Sequence, residues 1–373
     1  MDITLIVPEY PPHATGGGGV AYQSIARALC AQVESVRVLT GDHTGAAGSG
    51  TDGPIPVMRC GLMKTPPKAA YLNGYMPPRL ASGWRHAVDS IPRGSVVHIH
   101  GIGLPFCDFT ALTLQLRRRP YFLTNHGYPM RPATMATWAR WGFARYEGTC
   151  VAQVVRHATK VSAISEYCSA DGPLRQARVD VIPNGICEDI LIEKLDPARS
   201  DYGSLLFVGR IHAMKGLPLA ISAIASTPKF TLKVIGADGG ELEAVQRLVR
   251  WAGVTKRVEF LGLLPRDGII AAMRKAYAVV MPSLNEPFGM VGLEAMANGA
   301  LLICSDTGGM RTYANDGNAL LFKTGDAQDL ARKLYQLPLD AVAYERLRSA
   351  ALATARRSSW ANVAQEYLNW YQS

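Results

Sequence analysis

The chain has 373 residues, too many for one ordinary core and suited to two domains of roughly 150–200 residues each. Hydrophobic residues make up 48% and charged ones 18%, which fits a globular α/β protein and excludes a disordered or fibrous one. With 39 Lys and Arg against 30 Asp and Glu the net charge is +9, so an acidic partner is expected: a nucleotide compound, an anionic membrane surface or nucleic acid.

Met1–Pro8 carries no basic leader and turns polar after a few apolar residues, so Ile3–Val7 reads as a strand, not a signal peptide, and a cytoplasmic protein is expected. Glu9–Gly19 then forms a glycine-rich turn, with Gly16, Gly17, Gly18 and Gly19 in a row, before the helical spacing of Ile25, Ala26 and Leu29. Strand, glycine turn and helix open a Rossmann-like unit, although the spaced dinucleotide fingerprint is absent and the acidic residue that should follow it is not clear, which argues against a nicotinamide enzyme. Ser35–Thr40 is the second strand, and Gly41–Gly53 is expected to be a mobile Gly/Ser/Thr/Asp-rich connection. Pro66–Pro78, with Tyr71 and Tyr75, reads as a loop on the acceptor side or a packed surface loop.

Ser95–His100 is a strand whose alternation puts His98 and His100 on one face, a metal pair only if further ligands join them. Pro120–Thr124 is the next strand, leading into Asn125-His126-Gly127-Tyr128. From Arg131 to Lys160 the pattern is helical with breaks expected at Gly142 and Gly148; Met135, Trp138, Trp141 and Phe143 alternate with Arg131, Arg140, Arg145 and Arg156, while Glu147 is the only acid. Trp beside Arg suits an anionic membrane interface, and a helix with one core face and one solvated basic face suits it equally. Basic residues are otherwise spread over the chain without a recognition motif, so no nucleic-acid partner is expected. Val161–Ser165 is a strand before a helix start at Ser165-Glu166, and Pro183-Asn184-Gly185 is a strong turn, placed as the domain boundary near 186–200.

Ser204–Val208 is a buried strand followed by Gly209-Arg210 and Lys215-Gly216. Two cations on a glycine-flanked loop can bracket a diphosphate, Arg210 through its fork and Lys215 as a point charge. Phe230–Gly236 and Val258–Gly262 are further strands, the second followed by Leu263. Tyr277–Met281 is a buried strand, after which Gly289 opens a helix that runs to Gly299, and the uncovered amides at that start attract anions. Glu294 stands on this helix among Leu293, Ala295 and Met296; a buried carboxylate is costly unless hydrogen-bond donors meet it, and a ribose diol offers two. Leu301–Ser305 and Asn318–Phe322 are the last strands, and Trp360–Tyr371 shows helical spacing through Val363, Tyr367 and Trp370. The longest apolar runs, Ala276–Met281 and Ala300–Cys304, fall far short of the ~20 residues of a membrane span. The seven cysteines are scattered without a Cys-x-x-Cys pair, so they are expected to be reduced and buried.

Glu286 and Glu294, with Pro-Phe-Gly directly after the first, resemble the Glu-x7-Glu signature of retaining glycosyltransferases of family 4. The Gly209-Arg210…Lys215-Gly216 pattern about 75 residues earlier resembles the same family. The resemblance implies the α/β fold called GT-B, two Rossmann-like domains facing each other across a cleft: 1–185 on the acceptor side, joined by the last helix 357–373, and 186–356 binding a nucleotide sugar. It implies that Glu286 faces the donor sugar, that His126 contacts that sugar and the reaction centre, and that Arg210 and Lys215 hold the leaving diphosphate. Donor contacts then fall on Gly16, Gly17, Gly18, Gly209, Gly236, Leu263, Phe288, Gly289, Met290, Val291 and Glu294, with His100 and Tyr128 as weaker acceptor-side candidates. The chain has no Asp-x-Asp, the usual metal–diphosphate ligand of the other main glycosyltransferase fold, so no metal and no cofactor are expected. The implied reaction is hexosyl transfer with retention, from a UDP-sugar before a GDP-sugar, to a glycan, lipid-linked or small-molecule acceptor. A sugar-nucleotide epimerase on the same scaffold and a non-catalytic sugar-nucleotide binding protein are the alternatives.

Overall fold

A computed structural model describes residues 1–14, 17–44, 47–63, 77–79, 83–128, 136–196, 202–337 and 341–373. Gly16, Arg131, Met135 and most of the loop with Tyr71 and Tyr75 lie outside the described residues. Two compact units result, Met1–Gly185 with Trp360–Ser373, and Ile186–Ser359.

The first unit runs β1 (Asp2–Val7), α1 (Gly17–Cys30), β2 (Ser35–Asp42), β3 (Gly48–Asp52), β4 (Ile55–Gly61), α2 (Trp84–Asp89), β5 (Val96–His100), α3 (Pro105–Leu116), β6 (Phe122–Asn125), α4 (Thr137–Tyr146), α5 (Ala152–His157), β7 (Lys160–Ala163), α6 (Glu166–Ser169) and β8 (Val179–Val181). The sheet order is β3-β4-β2-β1-β5-β6-β7-β8, parallel except for β3. Ile3, Leu5, Ile6 and Val7 are all fully buried, because a central parallel strand is covered on both faces. Ser165 caps α6, its Oγ accepting from the Cys168 amide at 3.1 Å.

Two expectations change here. The 41–53 connection contains β3, an exposed edge strand held by its antiparallel ladder with β4 and by Asp52, which accepts from Tyr10 Oη at 2.8 Å and pairs with Arg27 at 2.6 Å. The 131–160 segment is not broken at its glycines: Gly142 lies inside α4, and Glu147–Val151 forms a π-turn that carries Gly148 and joins α4 to α5, while Lys160 already belongs to β7.

The second unit runs β9 (Ser204–Val208), α7 (Leu217–Ser226), β10 (Thr231–Ile235), α8 (Leu242–Trp251), β11 (Val258–Gly262), α9 (Arg266–Lys275), β12 (Ala278–Met281), α10 (Met290–Ala297), β13 (Leu301–Ser305), β14 (Leu320–Phe322), α11 (Ala327–Tyr335) and α12 (Ala341–Arg357); α13 (Trp360–Gln372) belongs to the first unit. Its six parallel strands lie in the order β11-β10-β9-β12-β13-β14, the doubly wound arrangement in which the direction of winding reverses between β9 and β12. None of the seven cysteines is in a disulfide; Cys60, Cys107, Cys168 and Cys304 are buried, whereas Cys30, Cys150 and Cys187 are partly exposed, so burial holds for four of them. Among the described residues no helix is long and apolar enough to cross a membrane.

Candidate active site

In an open α/β sheet the crevice forms beyond the carboxyl ends of the strands where the winding reverses. In the second unit that point lies after β9 and β12, and both loops carry charge there. The β9 loop turns through a short 3-10 segment, Ala213–Lys215, and ends at Gly216 (φ 67°), where any Cβ would lie 1.9 Å from the Pro282 carbonyl. The β12 loop is tied to it through the Leu284 amide, which donates to Met214 O at 2.8 Å. Lys215 Nζ consequently reaches Glu286 Oε2 at 2.5 Å.

Glu286 is 8% exposed and accepts a second hydrogen bond from Ser283 Oγ at 3.3 Å. Its own carbonyl accepts from the Gly309 amide at 2.8 Å. Gly309 is thus part of the support, since a Cβ there would lie 1.8 Å from Pro287 O. Lys215 enters the site already paired, and Arg210 is exposed without an ion pair among the described residues.

Gly289 caps α10 with φ 87°, a left-handed conformation that a side chain would strain. Its carbonyl accepts from Tyr313 Oη at 2.6 Å, and Phe288 packs against the Tyr313 ring at 5.3 Å between centroids. This fixes the helix start, so the leading amides of Met290 and Val291 point out of the helix with the positive end of its dipole. One turn on, Glu294 is half-buried, and burial raises its pKa against the opposing charge of Arg266. Gly236 closes the β10 end: its amide donates to Gly262 O at 2.8 Å and a Cβ would meet Gly209 O at 1.9 Å. Leu263, just past β11, is 75% exposed, an apolar surface at the same strand ends.

In the first unit the strand ends after β5 and β6 gather three histidines. His98 and His100 are fully buried with ring centroids 4.0 Å apart, and His100 Nδ1 lies 2.8 Å from His126 Nε2. His98 has both nitrogens engaged, with Tyr371 Oη at 2.6 Å and Thr124 Oγ1 at 2.7 Å. Among the described residues no three His, Cys, Asp or Glu side chains are grouped to hold a metal ion. Tyr22 on α1 packs edge-on against His126 at 4.9 Å. Tyr128 is wedged between Gly103 and Gly172, where Cβ atoms would approach its ring to 2.8 and 3.3 Å. In the glycine run the tight position is Gly19, where a Cβ would come within 2.1 Å of Ala14 Cβ; around Gly17 there is open space.

Residues 16–185 match the family described as Glycosyl transferase 4-like domain, and residues 193–354 match Glycosyl transferases group 1. The chain belongs to family 4 of the glycosyltransferases. A D-inositol 3-phosphate glycosyltransferase of Nocardia farcinica is 31% identical over 242 residues, 59% of this chain and 52% of that protein, so the match spans about half of that relative's length. The GDP-mannose:cellobiosyl-diphosphopolyprenol alpha-mannosyltransferase of Xanthomonas campestris is 27% identical over 296 residues, 76% of this chain and 75% of that one. Anabaena HepE, solved in complex with UDP and glucose, shares the fold over 100% of this chain and 99% of its own, with a TM-score of 0.74 and 19% identity. The two parallel sheets are therefore those of a GT-B glycosyltransferase. Four residues that touch or support this candidate site went unread in the sequence: Ser283, Tyr313, Gly309 and Arg266. Only Gly308-Gly309, separated from β13 by two residues, left a local trace.

Proposed function

We propose that the protein transfers a hexosyl unit from a nucleotide diphosphate sugar with retention of configuration at the anomeric carbon. The observation that carries this reading is the Lys215–Glu286 pair held beside the capped start of α10, at the strand ends where a doubly wound sheet binds its ligand. Lys215, Arg210 and the amides of Met290 and Val291 stabilise negative charge as it grows on the departing diphosphate, by preorganised electrostatics. Arg210 is free to fork onto phosphate oxygens. Glu286, bound to Lys215, orients the donor sugar instead of attacking it, since a double displacement would need a second carboxylate on the sugar's other face. The retained stereochemistry then comes from a front-face transfer in which the leaving phosphate takes the acceptor proton. Glu294 receives the ribose hydroxyls, Leu263 and Gly236 border the base, and His126 contacts the donor sugar. With cations and a helix end at the diphosphate, the reaction is expected to run in the presence of a chelator.

The proposed donor order is UDP-sugar before GDP-sugar. HepE, captured with UDP and glucose, supports the first, and the X. campestris relative names GDP-mannose as the second arm of the test. For the acceptor, a lipid-linked glycan is favoured by α4. No residue of this helix is buried; Trp138 and Trp141 are 79% and 68% exposed, and the Arg145 guanidinium lies 5.5 Å from the centre of the Trp141 ring. Exposed Trp interleaved with Arg fits the headgroup region of an anionic bilayer, which places the enzyme peripherally at the cytoplasmic face of a membrane.

Nucleotide release from a panel of UDP- and GDP-sugars, with and without a polyprenyl-linked acceptor, tests the scheme. Acceptor-dependent release with an α-linked product from an α-linked donor supports it; turnover of donor to an epimer without acceptor, or binding without turnover, would sink it. Co-sedimentation with anionic but not zwitterionic vesicles, lost in Trp138→Ser/Trp141→Ser, tests the membrane contact.

A further inference from the structure

Among the described residues the histidine cluster of the first unit contains one buried nitrogen without a hydrogen-bond partner. His100 is fully buried, its Nδ1 lies 2.8 Å from His126 Nε2, and its Nε2 is buried without a hydrogen-bond partner among the described residues. His98, stacked on it at 4.0 Å, cannot help, because its own nitrogens are bound to Tyr371 and Thr124. Burial lowers the His100 pKa well below its ordinary value, and burial lowers that of His126 to about 3, so both rings are neutral. Two neutral imidazoles sharing one hydrogen bond have two arrangements. If His126 Nε2–H donates to His100 Nδ1, His100 must carry its remaining proton on Nε2, a buried N–H with no acceptor. If His100 Nδ1–H donates to His126 Nε2, only a lone pair is left unpartnered. Orphaned buried N–H groups are the rarer of the two defects, so the second arrangement prevails.

We infer that His100 is a positioning residue that fixes the tautomer of His126, so that His126 presents Nδ1–H as a neutral hydrogen-bond donor. His126 is half-buried and its Nδ1 has no partner among the described residues, which leaves that donor open to a ligand. Tyr22, packed edge-on at 4.9 Å, keeps the ring from turning its nitrogens over. The ligand chemistry follows from the proton: Nδ1–H donates to a sugar hydroxyl or ring oxygen, and a neutral donor does so without adding a charge. The ligand assignment rests on the proposed function; the tautomer does not.

The test is a long-range 1H–15N correlation spectrum of the full chain labelled with 15N-histidine, with the His126 signals assigned by their loss in His126→Gln. The expected result is a protonated-type shift at His126 Nδ1 and a bare-type shift at Nε2, without any donor present. The opposite pattern, Nε2 protonated and Nδ1 bare, overturns the inference. Two variants add a readout that packing alone would not move. His100→Asn keeps an N–H donor near the Nδ1 position and preserves the His126 tautomer, whereas His100→Leu lets the proton move to Nε2. With an active donor, kcat/KM falls about tenfold or more in His100→Leu and recovers in His100→Asn. Equal losses in the two variants, with an unchanged His126 spectrum, would also overturn it. If the spectrum shows Nδ1–H and no nucleotide sugar is turned over, the proposed function fails and the tautomer assignment stands.

Discussion

Replacing Lys215 by Met separates what the Lys215–Glu286 pair does for folding from what it does for chemistry. Among the described residues Lys215 is the cation paired with Glu286, at 2.5 Å, and without it the carboxylate, 8% exposed, keeps only the Ser283 hydroxyl at 3.3 Å. The lysine end is 36% exposed, so the Coulomb gain is partly screened. What is lost is a charge-assisted hydrogen bond to a carboxylate that stays buried, worth about 1–3 kcal/mol of unfolding free energy. Turnover should suffer more, because a preorganised charge at the leaving group typically contributes ~10²–10³ in rate, or ~3–4 kcal/mol. Adding Glu286→Gln to Lys215→Met removes the stranded charge. The double variant should regain most of the stability and none of the activity. Urea unfolding followed by fluorescence reads the first quantity, and nucleotide release under single-turnover conditions reads the second. Activity in Lys215→Met within about threefold of the parent would refute the leaving-group role, since a cation that stabilises the departing diphosphate cannot be dispensed with so cheaply. Recovery of activity in the double variant would refute it as well, because the lysine would then have served only to neutralise its neighbour.

Three further outcomes follow from the same geometry. Gly289→Ala places a Cβ at φ 87° with Met310 Cγ and Tyr313 Oη each 2.9 Å away, so unfolding free energy should fall by about 1–3 kcal/mol and nucleotide affinity by calorimetry should fall with it; an undiminished affinity would mean that the α10 start does not hold the ligand. Glu294→Gln should weaken nucleoside diphosphate binding about tenfold. The same change should leave the fold as stable or more so at neutral pH, because burial raises the carboxyl pKa and the charged form is the costly one. Asp108 is buried under Tyr146 with its pKa pushed up to about 7 by desolvation, against 3.8 for an ordinary aspartate. A raised carboxyl pKa stabilises the fold below the unfolded value, and the stability is lost as pH climbs through the folded one. Asp108→Asn removes this dependence, so its stability relative to the parent should be higher at pH 7.5 than at pH 5.5 by about 2 kcal/mol; parallel pH profiles in urea titrations would contradict that.

Strands β9 and β13 stand where the sequence analysis places them because a parallel strand buried on both faces reads as a nearly unbroken apolar run, and loops must begin where it stops. The helix after Gly289 was legible for a related reason: a glycine at the turn and no breaker between Gly292 and Gly299. Strand β3 was not legible. Gly48-Ser-Gly-Thr-Asp52 has almost no β-propensity of its own, and its conformation comes from β4 beside it and from Asp52 receiving Tyr10, Gln23 and Arg27, partners up to 42 residues away. Gly142 and Gly148 misled in the other direction, since flanking turns carry a glycine through a helix and a π-turn absorbs the misfit.

The candidate site shows the same division between local and tertiary information. Arg210 and Lys215 stand out by charge on a glycine-flanked loop, Glu286 on the loop after β12 and Glu294 as a carboxylate on an otherwise apolar helix. That Lys215 meets Glu286 across 71 residues depends on β9 and β12 being neighbours in the sheet, a fact of strand order that no window of sequence contains. Ser283, Tyr313 and Gly309 act by supporting other groups, and a supporting residue carries no pattern of its own. His100 is the clearest instance. Alternation along β5 places it with His98, and its type alone suggests a surface ligand, yet its surroundings remove it from solvent and turn its single bonded nitrogen toward His126. A side chain that cannot itself touch substrate can still decide which nitrogen of its neighbour does, and only the unpartnered Nε2 behind it reveals the direction in which that hydrogen bond runs.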